Sequence, residues 1–319
     1  MGRYVLRQLL IAIPSLIGIS IVLFTVLALA PGDPFEELAT NPNVPAEVRA
    51  SLRAKFGLDD PVPVRYVRWA GAMVQGDWGF SFASRIDVDK LILQRIPVTL
   101  FVIGSSQLLA LLIALPVGVY AGTRPYSVFD QVASTLAFIG FSLPTFFTGI
   151  LLILIFSVTL DWLPIVYRAD ISAEGWRWYW EHFKQALMPV AVLGLFQAAS
   201  WTRYVRSAVL DVIRLEYVTT ARSKGLSERV VVVKHVVRNA LIPVVTLVFL
   251  QMPAIFGGAI VTEQIFRVPG IGSLLISAIQ ANDTPVIMAV TFVLACLVIL
   301  CNLAADILYG WLDPRISYR

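Results

Sequence analysis

Six blocks of apolar residues, each long enough to cross a bilayer as a helix, dominate this 319-residue sequence. They fall at 9–30, 97–121, 132–159, 186–202, 241–262 and 285–309. A hydrocarbon core takes about 20 helical residues to cross, because only an internally hydrogen-bonded backbone is tolerated in it. At 58% hydrophobic and 14% charged residues, the chain is too apolar for a soluble domain of this length. The pattern predicts an all-α polytopic membrane protein with six transmembrane helices. The fourth block is the least regular, since Gln197, Ser200 and Trp201 interrupt it before Arg203 and Arg206. It is expected to continue past them as a helix entering the interface.

Arg3 and Arg7 precede the first block, and Ala28-Leu29-Ala30 has the small-x-small form of a signal cleavage site. The apolar run is nevertheless longer than the roughly 7–15 residues of a signal peptide, so an uncleaved first helix is expected. Six spans put both termini on one side. The segment 203–239 carries eight Lys or Arg against three acids, Asp211, Glu216 and Glu228, which assigns it and both termini to the cytoplasm. The first loop, 31–96, also holds eight basic residues, but it is long and its nine acids balance them, so it crosses regardless of charge. Most tryptophans, including Trp162, Trp176, Trp178, Trp180 and Trp311, fall in loops or at block edges, where they read as interfacial anchors. The implied organisation is an N-terminal segment and first helix at 1–30, an extracytoplasmic loop at 31–96, a helical core at 97–310 containing a polar loop at 211–240, and a tail at 311–319.

Enzyme signatures are missing from the sequence: it has no phosphate-binding loop and no H-E-x-x-H, and its two histidines, His182 and His235, are expected on opposite faces of the membrane. Cys296 and Cys301, five residues apart in the last block, have neither metal-ligand nor redox spacing and read as packing residues.

The polar stretch Glu216 to Pro243 between the fourth and fifth blocks stands out. Glu216 to Lys224 contains good helix formers, Gly225 suits the left-handed position that closes a helix, and Ser227 followed by Glu228 suits the start of another. The valines from Val230 to Val233 have poor helix propensity, so packing or the interface must hold that second helix. Fixing topology and touching anionic lipid would also suit the basic residues of such a loop.

The order of residues points further. Tyr217 to Leu226, with Thr219, Thr220, Ala221, Arg222 and Lys224-Gly225, followed by His235, Arg238, Asn239, Ala240, Leu241 and Pro243, resembles the coupling motif of ATP-binding cassette importer permeases of the dipeptide and oligopeptide subfamily. Against the general importer motif Glu-Ala-Ala-x-x-x-Gly only Ala221 and Gly225 match, and the departures look like the peptide subfamily. Lys55 to Pro61, Gly76 to Ser81, Glu263 to Phe266 with Pro269 to Gly272, and Asp313-Pro314-Arg315 extend the resemblance in family order.

The resemblance implies the type I ABC importer permease fold and a transport subunit that translocates di- or oligopeptides across the inner membrane of a prokaryote. It implies no cofactor in this chain, with ATP and Mg bound by two partner ATPase subunits. A second homologous permease, an extracytoplasmic substrate-binding protein and membrane lipid complete the expected partners, with no nucleic acid. The helix around Thr219 to Gly225 would dock on an ATPase. The loops at 31–96 and 160–185 would fold into small helices and meet the binding protein. Nickel, glutathione or glycosides are alternative cargoes of the same mechanism. An ion-coupled secondary transporter is the alternative of another class, although no convincing inverted repeat is visible.

Polar groups inside spans are expensive and mark candidate pathway positions. They are Ser105, Ser106 and Gln107 in the second span, Ser142 and Pro144 in the third, Gln197 and Ser200 in the fourth, and Gln251 in the fifth. Hydrogen bonding between helices accounts for each of them at least as well. Glu263 and Asp306 lie near span ends, and Glu263 is a candidate extracytoplasmic gate. A Glu263→Gln exchange that left transport unchanged would remove that role.

Overall fold

The structure, a computed structural model, describes residues 2–29, 60–81, 83–168 and 175–312. Lys55 to Asp59 of the first-loop motif and the Asp313-Pro314-Arg315 motif lie outside the described residues. Ten helices account for nearly all the described chain: α1 (Gly2–Leu29), α2 (Val62–Val74), α3 (Val88–Thr123), α4 (Val128–Ser142), α5 (Thr145–Thr159), α6 (Trp176–Ile213), α7 (Glu216–Ser223), α8 (Glu228–Phe266), α9 (Ile271–Gln280) and α10 (Thr284–Leu312). The second half of α5 and the Val231–Val237 stretch of α8 are wound as wider π-helical turns.

Among the described residues four helices, Arg7–Leu29 within α1, α3, α8 and Thr284–Ile307 within α10, are long and apolar enough to cross a membrane. The third block, expected as one continuous helix at 132–159, is instead the pair α4 and α5, bent by 101°. Pro144 is the cause. It has no N–H to donate and disfavours helical backbone in the residue before it, and Leu143 accordingly sits extended at φ −81°, ψ 128°. The fourth block lies inside α6, whose 38 residues extend about 57 Å at 1.5 Å per residue and continue past Arg203 and Arg206 to Ile213. Gln185, Gln197, Ser200 and Thr202 all lie inside its buried face, and it is not among the helices apolar enough over their length to cross a membrane by that measure.

The chain divides into two compact units. One centres on Val98–Ser273. Its core is built on a row of small residues along α3, Ala110, Ala114, Gly118 and Gly122, spaced by four and therefore aligned on one face. A Cβ at Gly118 would lie 2.6 Å from Val205 Cβ, and one at Gly122 would lie 2.7 Å from Val209 Cβ, so the two helices touch almost backbone to backbone. Gly118→Ala should therefore lower the unfolding temperature of the detergent-solubilised protein, by about 1–3 kcal/mol of overpacking. Gly104→Ala on the same helix meets nothing within 4 Å and should be neutral or stabilising. Equal behaviour of the two variants would rule out the close approach.

The other unit centres on Leu6–Pro97 with Leu274–Ile299. Ser20 of α1 and the Tyr66 hydroxyl of α2 share a 2.9 Å hydrogen bond, Phe24 packs edge-on against Tyr66, and Trp69 meets Phe292 of α10. Helix α2 is thus one of the small helices expected in the first loop. The Gly76 to Ser81 motif forms a tight turn before α3: Gly79 takes φ +90°, and the Ser81 hydroxyl donates to Asp283 at 2.6 Å.

Candidate coupling site and polar groups of the membrane core

Only Arg214 and Leu215 separate the end of α6 from α7. The Leu215 carbonyl accepts the Val218 N–H at 3.0 Å and starts the short helix. Val218 and Ala221 face inward and are buried in the same core as Trp201, Val205 and Val209 of α6 and Val231, Val236, Ala240 and Val244 of α8. Glu216, Tyr217, Thr219, Thr220, Arg222, Lys224, Gly225 and Leu226 are exposed. A two-turn helix this short is not stable alone; its packing onto two long helices makes it part of a rigid body.

Gly225 adopts φ +77°, the left-handed position foreseen for it, and its N–H donates to Arg222 at 2.9 Å. Ser227 starts α8 in an extended conformation, and its carbonyl accepts the Val231 N–H at 3.0 Å, but its hydroxyl makes no cap bond. Glu228 is engaged elsewhere, accepting two hydrogen bonds from Arg222 at 2.8 and 3.1 Å. That bonding holds the Arg222 guanidinium above its already high ordinary pKa, so the cation persists throughout the physiological range. The pair clamps the turn around Gly225. The buried Val231 and Val236 supply the packing that the poor propensity of the valines requires.

The two halves of the sequence motif meet at one carbonyl. The Asn239 side-chain amide donates to the His235 carbonyl at 2.7 Å, and the Tyr217 hydroxyl reaches the same oxygen at 3.5 Å. Arg238 and Pro243 are exposed on α8, where Pro243 lies inside the helix.

The membrane-core polar groups separate into distinct environments. Gln197 of α6 donates to the Gln251 side-chain oxygen of α8 at 2.8 Å, and the fully buried Trp201 indole donates to the same oxygen at 2.9 Å. Ser200 is buried, Ser105 half-buried, and Ser142 and Pro144 are exposed at the bend, with the Ser142 hydroxyl donating to the Phe138 carbonyl at 2.8 Å. Ser106 is wholly buried and donates to the Ile103 carbonyl at 2.7 Å. Gln107 is 6% exposed, and neither atom of its amide has a hydrogen-bond partner among the described residues.

Glu263, at the far end of α8, is 1% exposed. Its carboxylate accepts hydrogen bonds from Thr99 at 2.5 Å and from the Gly272 and Ser273 N–H groups at 2.8 and 3.0 Å. The Thr99 hydroxyl in turn accepts the Ile271 N–H at 2.8 Å. The first three N–H groups of α9 are thereby capped, which ties the Glu-x-x-Phe segment to the Pro-Gly-Ile-Gly turn.

Residues 114–318 match the model of the family described as binding-protein-dependent transport system inner membrane component, and residues 1–103 match the model of its N-terminal region. The chain belongs to this family. An oligopeptide transport system permease of Bacillus subtilis, AppB, is 42% identical over the full length of both chains. A putative peptide permease of Brucella suis is 40% identical over 99% of each, and the glutathione transport system permease GsiC of Salmonella paratyphi A is 39% identical over the full length of both. Among solved structures, an inward-facing MetNI methionine ABC transporter superposes with a TM-score of 0.55 at 21% identity, covering 70% of this chain and 96% of that one, and shares the fold. The protein is a multi-pass inner-membrane permease of an ABC importer, a transport subunit that works with ATPase subunits and has no ATPase site of its own.

One feature of this permease escaped sequence reasoning. Asp130 of α4 and Arg206 of α6 form a two-pronged ion pair at 2.5 and 2.7 Å, with the Asp130 side chain only 3% exposed. The Tyr126 N–H also donates to Asp130, at 2.8 Å, and the Ser127 hydroxyl accepts the Asp130 N–H at 3.2 Å, capping α4. The Ser-x-x-Asp spacing signals a helix start, but nothing in the sequence pairs its acid with an arginine 76 positions away.

Proposed function

We propose that this permease forms, with a second homologous permease, the membrane path of a peptide importer, and that α7 is its docking element for the ATPase. Full-length identity of 42% to a permease named for oligopeptides and 39% to one named for glutathione supports peptide-class cargo over nickel or glycosides. The 203–239 segment, with its eight basic residues against three acids, then leads into the cytoplasm, where α7 and both termini lie, while its first residues, Arg203 and Arg206, belong to the membrane end of α6. Two ATPase subunits bind ATP and Mg there, and a binding protein delivers cargo on the opposite face.

The observation that carries the coupling role is the division of α7 into a buried side, Val218 and Ala221, and an exposed side, Tyr217, Thr219, Thr220 and Arg222. Because Val218 and Ala221 share one core with α6 and α8, a push on the exposed side moves both long helices together. ATP binding closes the ATPases and drives the docked helix; hydrolysis and release return it, a switch between two packed arrangements. Ala221 keeps the helix close to the core, and the Arg222–Glu228 pair keeps the Gly225 turn rigid.

Thr220→Trp tests this at a position that faces solvent. The variant should keep the unfolding temperature of the wild type, while ATPase recovered with the tagged permease from native membranes, and peptide uptake with it, fall by about tenfold or more, as for bulk placed in an interface centre. Normal ATPase recovery and normal uptake would overturn the docking role. Competition of labelled peptide uptake by unlabelled peptides, nickel, glutathione and glycosides decides the cargo class.

A further inference from the structure

Arg203 lies on α6 three residues before the ion-paired Arg206, yet its surroundings are opposite in kind. It has no acidic partner among the described residues, and its side chain is exposed. Its guanidinium sits over the ring of Phe141 at 4.6 Å from the centroid, and that ring is stacked on Phe196 at 5.6 Å. Phe141 is the residue before Ser142 at the bend between α4 and α5, and both are exposed.

Depth and direction make this placement informative. The carbonyl of Thr202 lies beside Gly118 of α3, which is six residues inside the Arg124 end of that helix, so the Arg203 backbone is about 9 Å deeper than Arg124. An arginine facing lipid at such a depth extends toward the headgroups. This one reaches the other way, toward Phe196, seven residues back along α6. A cation pointing into the membrane interior with only aromatic contacts is tolerated where water or an anion reaches it. Neighbouring charged and amide groups are committed elsewhere, since Asp130 holds Arg206 and Gln251 holds Gln197 and Trp201.

We propose that Arg203, on its Phe141–Phe196 platform beside the broken third span, is the anion-recognising group of the translocation path and receives the carboxylate of the passing peptide. The guanidinium supplies a two-pronged fork that matches a carboxylate, and the aromatic faces hold that fork in place while leaving its edge free. The carboxylate reading rests on peptide import as proposed above; exposure of Arg203 to an aqueous path does not.

The test uses the complete reconstituted complex of both permeases, ATPases and binding protein. In one arm, Arg203→Cys in a Cys296→Ala, Cys301→Ala background is exposed to a membrane-impermeant anionic methanethiosulfonate. In the other, uptake of one peptide with a free C-terminus and of its C-terminal amide is compared for wild type, Arg203→Gln and Arg203→Lys. Each variant is expressed relative to wild type for the same peptide, so that capture by the binding protein cancels. The thiol should be modified. Arg203→Gln should lower uptake of the free acid by about tenfold or more, the loss expected for a charge-assisted hydrogen-bond pair, and of the amide by less than about threefold, with Arg203→Lys between. A protected thiol would overturn the proposal and place Arg203 against lipid or the second permease. Equal losses for acid and amide would overturn it in favour of a packing role. A wild-type complex that hydrolyses ATP but imports neither peptide would instead remove the peptide reading, and the labelling would still decide whether Arg203 faces water.

Discussion

Gly270→Ala should be among the most damaging single exchanges in this permease, although it adds one methyl group. A Cβ at that position would lie 2.0 Å from one Glu263 carboxylate oxygen and 2.2 Å from its Cδ, so methyl and carboxylate exclude each other. If the carboxylate moves, the Gly272 and Ser273 N–H groups lose their acceptor and Thr99 loses its partner, all in a buried setting where each orphan is expensive. Counting about 1–3 kcal/mol for each unsatisfied group, the loss is about 3 kcal/mol or more. The measurement is thermal unfolding in detergent beside the yield of assembled complex. An unfolding temperature within about 1 °C of wild type, where 1 kcal/mol moves a domain by about 2–4 °C, would show that α9 does not depend on this cap. Glu263→Gln is the informative companion. The amide keeps one acceptor but turns a donor toward either Thr99 or the two backbone N–H groups, so it should be destabilising, and a transport defect larger than the loss of protein would support a gate role for Glu263.

Arg206→Leu should destabilise the fold by a comparable amount, because it strands the Asp130 carboxylate. Breaking one side of a buried pair costs about 3–5 kcal/mol, and the lower end applies here, since the Arg206 side chain is 26% exposed and the Tyr126 N–H and Ser134 hydroxyl remain as donors. Removing both charges, as in Asp130→Asn with Arg206→Leu, should recover much of the loss. The unfolding temperatures of the two single variants and the double variant form a cycle. Simple additivity in that cycle would mean that the pair contributes nothing beyond its separate residues. The position makes the pair consequential for transport as well. It ties the start of the broken third span to the helix that leads, through Arg214 and Leu215, directly into α7, so the uptake obtained per ATP hydrolysed should fall in the single variants and return in the double.

The motif at 216–243 was readable residue by residue because its requirements are local. A left-handed glycine, a helix of good formers and a proline are properties of short segments, and the structure places Gly225 at φ +77° in the turn foreseen for it. Ser227 shows the limit of such reasoning: it holds the cap position and its carbonyl accepts the first helical bond, from the Val231 N–H, but its hydroxyl makes no cap bond, and Glu228 turns to Arg222. The division of the polar core residues was not readable. Gln107, Gln197 and Gln251 are alike in sequence, each an amide in an apolar block. Only packing reveals that the second donates to the third while the first has no partner among the described residues.

Apolarity sustained for about 20 residues at a time dictated the helices and the membrane, since no other backbone arrangement but a closed barrel satisfies its own hydrogen bonds in hydrocarbon. The order of short motifs dictated the family, and the local chemistry of Glu216 to Gly225 dictated the helix and turn to which we assign the coupling role. Tertiary structure alone decided which charges are paired and which stand free. Asp130 with Arg206, Glu263 with the start of α9, and Arg203 over Phe141 each depend on groups brought together across 76, 9 and 62 positions of sequence. Distances of that kind are set by how the helices pack, not by the periodicity of any one of them.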